Sequence, residues 1–393
     1  MPDTIGDRLR AARKRSGQTQ RELARASGVS YSLIQQLEQG TRDDTRMETA
    51  RKLASALRVP TTRLVSEQPE EGATAATVAQ WAAVRRAACG VFDQEAPAEP
   101  PTVGGLKAAL DATAPLYNAG RLQQLGLLLP TLIRDAETLA ELDPAGRSLQ
   151  VRTMHLTAWL LVQTRQFDVA HDVVERVISE APDRLQAAAA VNTKGWLLLR
   201  QGHLADAGSL AEKWADELEP ARMSRATMGE LHAWGSMLLR VSAASVRNAR
   251  DAKADDALRL AKSVSVAMGQ EHAPREDLQR TFGPTTIAMK MAESAMVRDR
   301  PNEVLTLAQR VPDGGIEASI YNLNRHKLDV ADAQTRLRQH HQAVETLLGI
   351  MRDQPEWLPN QRYARDIVGR IVDRRRTLTP KMRVLADQVG LPM

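Results

Sequence analysis

The sequence predicts an all-α protein in which a small five-helix domain at the N-terminus precedes a larger helical solenoid. Three observations support this fold class. Apolar residues recur at helical spacing along most of the chain. Residues 18–40 carry the start and stop signals of two short helices joined by a tight turn. From residue 106 onward, small residues and prolines recur at similar intervals, which is typical of stacked helix pairs.

The segment 18–40 contains the most informative pattern. Thr19 is placed to cap the first of its two helices and Ser30 to cap the second. Between them, Gly28 supplies a residue that tolerates a left-handed backbone. Polar side chains remain outward at the start and along one face of the second helix: Tyr31, Ser32, Gln35, Gln36 and Gln39. Such side chains are long enough to reach base edges in a major groove of DNA.

Helices on both sides of this segment complete the predicted N-terminal domain, residues 1–66. Ile5 to Arg15 forms an amphipathic helix, and Arg46 to Leu57 forms another. Thr61 then caps a short last turn.

Residues 5–65 resemble the phage-repressor type of helix-turn-helix domain, also called the Xre or Cro type. The resemblance rests on Gln20 at the start of helix two, the Gly-Val-Ser turn at 28–30 and the Leu-Glu-x-Gly end of helix three. It implies an ion pair between Arg13 and Glu38. It also implies that Gln20 contacts DNA and that Tyr31, Ser32 and Gln36 read bases. The full predicted DNA-binding set is Gln20, Arg21, Ser30, Tyr31, Ser32, Gln35, Gln36, Gln39 and Arg42. The loop 41–45 departs from the family pattern, since Asp43 and Asp44 stand where a basic or proline-containing loop is usual.

Charge favours DNA binding over the alternative, a helical hairpin with no role in DNA binding. Residues 1–65 hold 13 Lys and Arg against 7 Asp and Glu, a net charge of +6, whereas the whole chain carries +5. The basic excess is therefore confined to the N-terminal domain. A positive domain on a nearly neutral body is expected for a protein that binds phosphates.

Other features exclude several classes of protein. The single cysteine, Cys89, rules out an internal disulfide and a cysteine-rich metal site. No apolar run approaches the ~20 residues that span a bilayer, and the first residues do not show a signal-peptide pattern, so a cytoplasmic protein is expected. We find no Gly-rich phosphate loop, His-Glu-x-x-His or nucleophile elbow. The sequence therefore predicts neither an enzyme nor a bound cofactor or metal.

Residues 67–102 are predicted to be a linker. Polar or proline-rich breaks at 66–72 and 96–101 are expected to act as hinges around an Ala-rich helix at 73–92. This connector helix is expected to pack on the larger domain. A place in a dimer interface is the alternative.

Residues 103–393 are predicted to form helix pairs. A small residue, a second small residue twelve positions later and a proline recur at Ala158–Ala170–Pro182, Gly195–Ala207–Pro220 and Ala331–Ala343–Pro355. Weaker copies occur at Gly235–Ala257 and Ala292–Val304–Pro312. The pattern resembles the tetratricopeptide repeat, which implies a superhelix with a concave inner face. An irregular helical bundle is the alternative.

Helical phase predicts which side chains line the concave face. In each pair these lie three before, one after and five after the first small residue. They are His155, Trp159, Gln163, Asn192, Trp196, Arg200, His232, Ser236, Arg240, Met289, Glu293, Val297, Leu328, Asp332 and Arg336. Trp159 and Trp196 fall at matched positions and are predicted to form a ligand platform, although each alone is as readily a core residue. Arg200 and Arg240 suit a carboxylate.

A second candidate ligand site lies at residues 281–286. There a turn leads into a helix with Pro284 at its first position. Backbone N–H groups at such a start can hold an anionic group. Phe282 and Thr285 are therefore added to the predicted ligand set.

The chain carries Phe-Gly-Pro-Thr at 282–285, Trp234 followed by Leu-Leu-Arg at 238–240, and an arginine-rich segment at 370–376. With these features it resembles, over its full length, actinobacterial Xre-type regulators with tetratricopeptide-like C-terminal domains. Its domain plan is similar to that of the peptide-pheromone receptors of Gram-positive bacteria, which implies quorum sensing through a peptide. Two hypotheses follow. In one, a homodimeric transcription regulator senses a peptide or small-molecule effector in the solenoid. In the other, a constitutive DNA-binding protein uses the solenoid to dock another protein.

Overall fold

The computed structural model describes residues 4–42, 45–65, 75–92, 99–274, 281–311, 319–373, 375 and 377–391. Within these ranges the chain is all-helical, and the sole extended pairing is an isolated bridge between His272 and Phe282. The breaks predicted at 66–72 and at 96–98, and the acids Asp43 and Asp44, lie outside the described residues. No helix within the described part is long and apolar enough to cross a membrane.

Four α-helices and one 3₁₀ turn form the N-terminal domain. They are α1 (Ile5–Arg15), α2 (Gln20–Ser27), α3 (Tyr31–Glu38), α4 (Met47–Ala56) and the 3₁₀ turn Thr61–Arg63. The fifth predicted helix is thus a single 3₁₀ turn. The core of the domain is aliphatic, and its fully buried members include Leu9, Leu23, Ile34, Leu37 and Leu53.

The local signals around α2 and α3 are confirmed. The Thr19 hydroxyl accepts from the Glu22 N–H, and the Glu22 carboxylate accepts in return from the Thr19 N–H at 2.7 Å. Gly28 adopts φ 66°, and the Ser30 hydroxyl accepts from the Leu33 N–H. These contacts satisfy N–H groups at the two helix starts, which fixes where α3 begins.

The connector divides into two short helices, α5 (Ala75–Gln80) and α6 (Ala82–Ala88), which meet at Trp81. Trp81 is buried against Gly126, where an added Cβ would lie 2.5 Å from the indole ring. On α6, Arg85 forms a two-bond ion pair with Asp168 at 2.6 and 2.8 Å. The connector therefore packs on the C-terminal helices.

Fifteen further helices follow in the described part of the chain. They are α7 (Val103–Asp111), α8 (Ala114–Asn118), α9 (Leu122–Leu142), α10 (Gly146–Gln163), α11 (Phe167–Glu180), α12 (Arg184–Gln201), α13 (Leu204–Leu218), α14 (Met228–Arg247), α15 (Asp251–Met268), α16 (Pro284–Val297), α17 (Pro301–Ala308), α18 (Ile320–Arg336), α19 (His340–Asp353), α20 (Arg362–Asp373) and α21 (Pro380–Gln388). From α9 to α19, consecutive helices pack on each other. The helices α11, α13 and α19 end two residues before the predicted prolines.

A second set of contacts joins alternate helices. The pairs α10–α12, α12–α14, α14–α16, α16–α18 and α18–α20 all touch, so these six helices form an inner row. The row bends back on itself, because Tyr321 of α18 packs against Trp159 of α10 with 4.9 Å between ring centroids. The Tyr321 hydroxyl also donates to the carbonyl of Tyr117. The inner helices therefore surround a central space.

The turns after the inner helices correct the predicted repeat phase on α14. A residue with a left-handed backbone conformation follows each of α10, α12, α16 and α18. It lies seven positions after the predicted small residue of that helix, at Arg165, Gly202, Asp299 and Arg338. On α14 the left-handed residue is Ala249. Its equivalent small residue is therefore Ser242, which packs on α15 twelve residues later at Ala254. The predicted small residue, Gly235, is therefore wrong, because it lies seven residues before Ser242. Seven residues are close to two helical turns, so both residues lie on the same face of α14.

The N-terminal domain docks on the C-terminal ends of the inner helices. The Thr61 N–H and hydroxyl donate to the carbonyls of Asn248 and Arg247, at 3.3 and 3.0 Å. On α4, the Glu48 carboxylate accepts from Arg336 at 2.8 Å, and Lys52 pairs with Asp299 at 2.7 Å. Cations near helix C-termini are favoured by the helix dipole.

A buried carboxylate, Asp332, lies behind this docking contact. It accepts from Arg336 at 3.1 Å and from Arg370 at 2.6 Å. It also accepts from the Tyr363 hydroxyl at 3.0 Å. Two of the cations close to Glu48 are therefore oriented by one fully buried acid.

Candidate nucleic-acid interface and ligand cavity

Helix α3 is held in place by an ion pair at its end. Arg13 donates two bonds to Glu38, Nε to Oε1 and Nη2 to Oε2, both 2.7 Å. Its Nη1 donates to the Gln18 carbonyl at 2.9 Å. Burial opposes ionisation of Glu38, but the bonds from Arg13 and Gln20 outweigh it, and the pKa of the carboxyl lies below its usual value. The pair implied by the family resemblance is confirmed.

Seven of the nine predicted DNA-binding side chains are exposed to solvent: Arg21, Ser30, Tyr31, Ser32, Gln36, Gln39 and Arg42. Gln35 is half-buried. The Arg21 guanidinium lies 5.8 Å from the centroid of the Tyr31 ring, so the start of α2 adds a positive charge beside α3.

Gln20 differs from the rest of this set. Its side-chain amide donates to Glu38 Oε2 at 2.8 Å, and the residue is half-buried. One amide hydrogen of Gln20 is therefore used inside the domain, where it supports the ion pair. Its contact with DNA stays a prediction.

The inner helices enclose a cavity of about 240 Å³. Five side chains of the predicted ligand set line it: Gln163, Asn192, Trp196, Arg200 and Arg240. Ser236 and Glu293, from the same predicted face, line it as well. The face selected by helical phase on α12 and α14 therefore does meet the central space.

Six other members of the predicted ligand set do not reach the cavity wall. Five of them are buried: His155, Trp159, His232, Phe282 and Met289. Thr285 is half-buried at the start of α16, and the neighbouring Thr286 lines the cavity instead. The structure therefore does not place these six residues on the cavity wall, and their contact with a ligand stays a prediction.

The two tryptophans have different surroundings, so the predicted platform is not formed. Trp159 is buried in an aromatic cluster, with its ring centroid 4.4 Å from that of Tyr117. Trp196 is half-buried on the cavity wall. Because the row of inner helices bends back on itself, Tyr321 packs against Trp159 and separates that indole from the central space.

His155 and Phe282 are held by packing. The His155 imidazole is hydrogen-bonded to the Thr193 hydroxyl at 2.9 Å, and burial lowers its pKa to about 4. Phe282 lies against Gly235, where an added Cβ would be 2.2 Å from the ring. A small residue is thus needed at Gly235 for contact with Phe282. This explains why Gly235 was predicted as the small residue of a helix pair.

The anion site predicted at the start of α16 is occupied from within the chain. The Glu271 carboxylate accepts from the Thr286 N–H and from the Thr286 hydroxyl, both at 2.9 Å. A carboxylate at a helix N-terminus satisfies the free donors and the dipole. The segment 281–286 therefore offers no open anion site at this position.

Sequence reasoning missed several wall residues on α14, α16 and α18 and near α20: Arg247, Lys290, Arg325, Trp357 and Tyr363. The corrected phase would have found the first of them. The residues three before, one after and five after Ser242 are Leu239, Ala243 and Arg247. All three line the cavity. The twelve-residue spacing from Ser242 to Ala254 was the available signal.

Arg247 joins the cavity to the docked domain. Its side chain donates to Glu293 Oε1 at 2.5 Å on the cavity wall. Its carbonyl accepts from the Thr61 hydroxyl of the N-terminal domain. A shift of α14 near this residue therefore affects both places.

Comparison with family models identifies the N-terminal part of the chain. Residues 9–64 match the helix-turn-helix family model. This segment is similar to helix-turn-helix domains of the Xre or Cro type, which suggests a DNA-binding transcription regulator. A comparison with curated proteins gave no match.

Proposed function

We propose that the protein is a transcription regulator that binds operator DNA as a homodimer through α3 and senses a peptide or small-molecule effector in the cavity. The DNA-binding half of the proposal is supported by the helix-turn-helix match and by the exposed polar side chains of α3. A dimer would place two copies of α3 in successive major grooves of a pseudo-palindromic site. The tetratricopeptide-like superhelix would carry the sensing function.

The observation that carries the sensing half is the double role of Arg247. This residue lines the cavity with its side chain and contacts the N-terminal domain with its backbone. An effector that prefers one arrangement of α14 would shift operator affinity by its differential affinity for the two arrangements.

The first test is to recover the operator. Genomic fragments pulled down by the full chain at low salt and sequenced should share a pseudo-palindromic site. Their binding should fall steeply with added salt, since phosphate contacts release counterions. Fragments of random sequence would contradict sequence-specific binding, and a strictly monomeric protein–DNA complex would contradict the dimer.

Replacing Gln36 with alanine should weaken binding to the recovered operator by about 1–3 kcal/mol and relax the preference at one base pair. Gln36 is exposed on α3 and a glutamine side chain can pair with a base edge. Competition binding on operators varied at each position measures the effect. Gln124→Ala, an exposed glutamine on α9, is the matched control and should change nothing. Equal loss on operator and random DNA would refute base reading.

Trp196→Ala and Asn192→Ala should leave operator binding by the free protein unchanged and abolish the response to effector. Both residues line the cavity, and Asn192 accepts two bonds from Arg240, at 2.6 and 3.1 Å. Operator binding with and without culture extract measures the response. If both variants respond at the concentrations that act on the wild type, the cavity is not the effector site.

A thermal-shift screen with extracts, peptides and metabolites separates sensing from simple docking. An effector at ~100 times its dissociation constant should stabilise the protein by ~2.7 kcal/mol. A uniformly flat screen would favour a constitutive DNA-binding protein whose repeats dock another protein.

A further inference from the structure

The cavity wall carries an excess of positive charge. Six basic side chains line it: Arg200, Arg240, Arg247, Lys290, Arg325 and Arg362. Among the described residues of the wall, Glu293 is the single acid. A concave, low-dielectric wall with charges of one sign concentrates ions of the other sign.

The carboxylates around the wall do not balance this excess. Glu293 binds both Arg247 and Lys290, at 2.5 and 2.7 Å, and these cations hold its pKa well below the usual value against the opposing effect of burial. Three further acids touch wall residues from outside: Asp329 at Arg325, Glu271 at Thr286 and Asp332 at the Tyr363 hydroxyl. Four negative charges thus stand against six positive ones on the wall.

Two of the arginines are fixed in position by the repeat packing. The stem of Arg240 crosses α12 at Gly195, where an added Cβ would lie 3.0 Å from Arg240 Cγ. The Arg200 guanidinium lies 5.5 Å from the centroid of Trp196 and donates to the carbonyls of Val162 and Asn360, at 2.7 and 3.0 Å. Cations held in this way lose little freedom when an anion binds.

Buried amides with unused hydrogen-bonding atoms form another part of the wall. Gln163 is fully buried, and both its Nε2 and its Oε1 lack a hydrogen-bond partner among the described residues. Asn322 is 4% exposed, and its Oδ1 also lacks one. Buried polar atoms are nearly always paired in native proteins, so these two amides leave unused hydrogen-bonding capacity next to the cavity.

Aromatic side chains complete the wall. The chain contains 6 Trp and 4 Tyr, and Trp196, Tyr321, Trp357 and Tyr363 all line this one cavity. Such side chains favour a flat partner. The volume of about 240 Å³ lies just below the usual range for small-molecule pockets, which favours a small ligand over a peptide.

We propose that the cavity binds a small organic anion that carries a flat ring, with its charged group among the wall arginines and its ring beside Trp196. This inference rests on the proposed function, because it names the chemical class of the effector. An aromatic carboxylate and a nucleoside monophosphate share the required chemistry.

The test uses two probes that differ by one sulfonate group. Anilinonaphthalene sulfonate is an aromatic organic anion, and N-phenylnaphthylamine is its uncharged counterpart. Fluorescence titration of the full chain should give saturable one-site binding of the sulfonate, with affinity at least tenfold above that for the amine. Competition with 4-hydroxybenzoate or adenosine monophosphate then distinguishes a carboxylate from a phosphate, and 4-hydroxybenzamide and adenosine should not compete.

Matched variants locate the binding. Arg240→Met should weaken sulfonate binding at least tenfold, and Arg362→Met, at an exposed position of the wall, should weaken it severalfold. Arg259→Met is the control, because Arg259 lies on the outer surface of α15 and should have no effect. Equal affinity for the two probes, or wild-type affinity in both cavity variants, would overturn the proposal.

The outcome also separates this inference from the proposed function. If the anions bind but operator affinity stays constant, the ligand class stands and the regulatory role fails. If extract changes operator affinity in a protein that binds neither the sulfonate nor the two competing anions, the ligand class is overturned and the regulatory role stands.

Discussion

Replacing Arg13 with alanine should destabilise the N-terminal domain by about 3 kcal/mol, because it leaves the Glu38 carboxylate buried without its main partner. The Glu38 side chain is 2% exposed, so solvent cannot replace the two lost bonds. Gln20 alone would remain beside it.

Hydrogen–deuterium exchange of the full chain measures this loss within residues 5–65. Arg25→Ala is the matched control, since Arg25 is an exposed arginine on α2. Exchange in α1 and α3 that is as slow as in the wild type would refute the structural role of the pair.

Replacing Gly6 with alanine should have the second large effect, a loss of about 1–3 kcal/mol or more. A Cβ at this position would lie 2.0 Å from the Leu37 carbonyl oxygen and 2.9 Å from its carbon. Both atoms belong to the backbone of α3, so no side-chain rotation relieves the clash. Helix α3 must move, and operator affinity should fall with stability.

Gly349→Ala provides a comparison of opposite sign. Gly349 lies inside α19, and nothing stands within 4 Å of its added Cβ. Alanine is the better helix former there and should stabilise the protein by about 0.5–1 kcal/mol. Thermal unfolding and operator binding of both variants test the pair. A Gly6→Ala protein that matches the wild type in both would show that α1 and α3 are not in such close contact.

The N-terminal domain was largely predictable because its signals are local. Thr19 and Ser30 each cap a helix by accepting from an N–H group three residues later. Gly28 is required by its own positive φ angle. These signals need no knowledge of distant parts of the chain. The 3₁₀ turn at residues 61–63 departs from the expected helix, since it is held by contacts with residues 247 and 248.

The cavity was harder to predict, because its wall depends on contacts between distant residues. Helical phase identifies a face of one helix, and on α12 this was sufficient to place Asn192, Trp196 and Arg200. Trp159 occupies the same position on α10, yet Tyr321, 162 residues further along the chain, covers it. A pattern within one repeat contains no information about such closure.

The carboxylate of Asp332 links the cavity wall to the docked N-terminal domain. It accepts from Tyr363 of the cavity wall and from the arginines beside Glu48 of the docked domain. If an effector acts on operator affinity through this group, thermodynamic reciprocity requires operator DNA to change effector affinity by the same factor. An effector titration on free protein and one on the protein–operator complex should then give different midpoints, and the concentration at which a cell responds would depend on how many operators it holds.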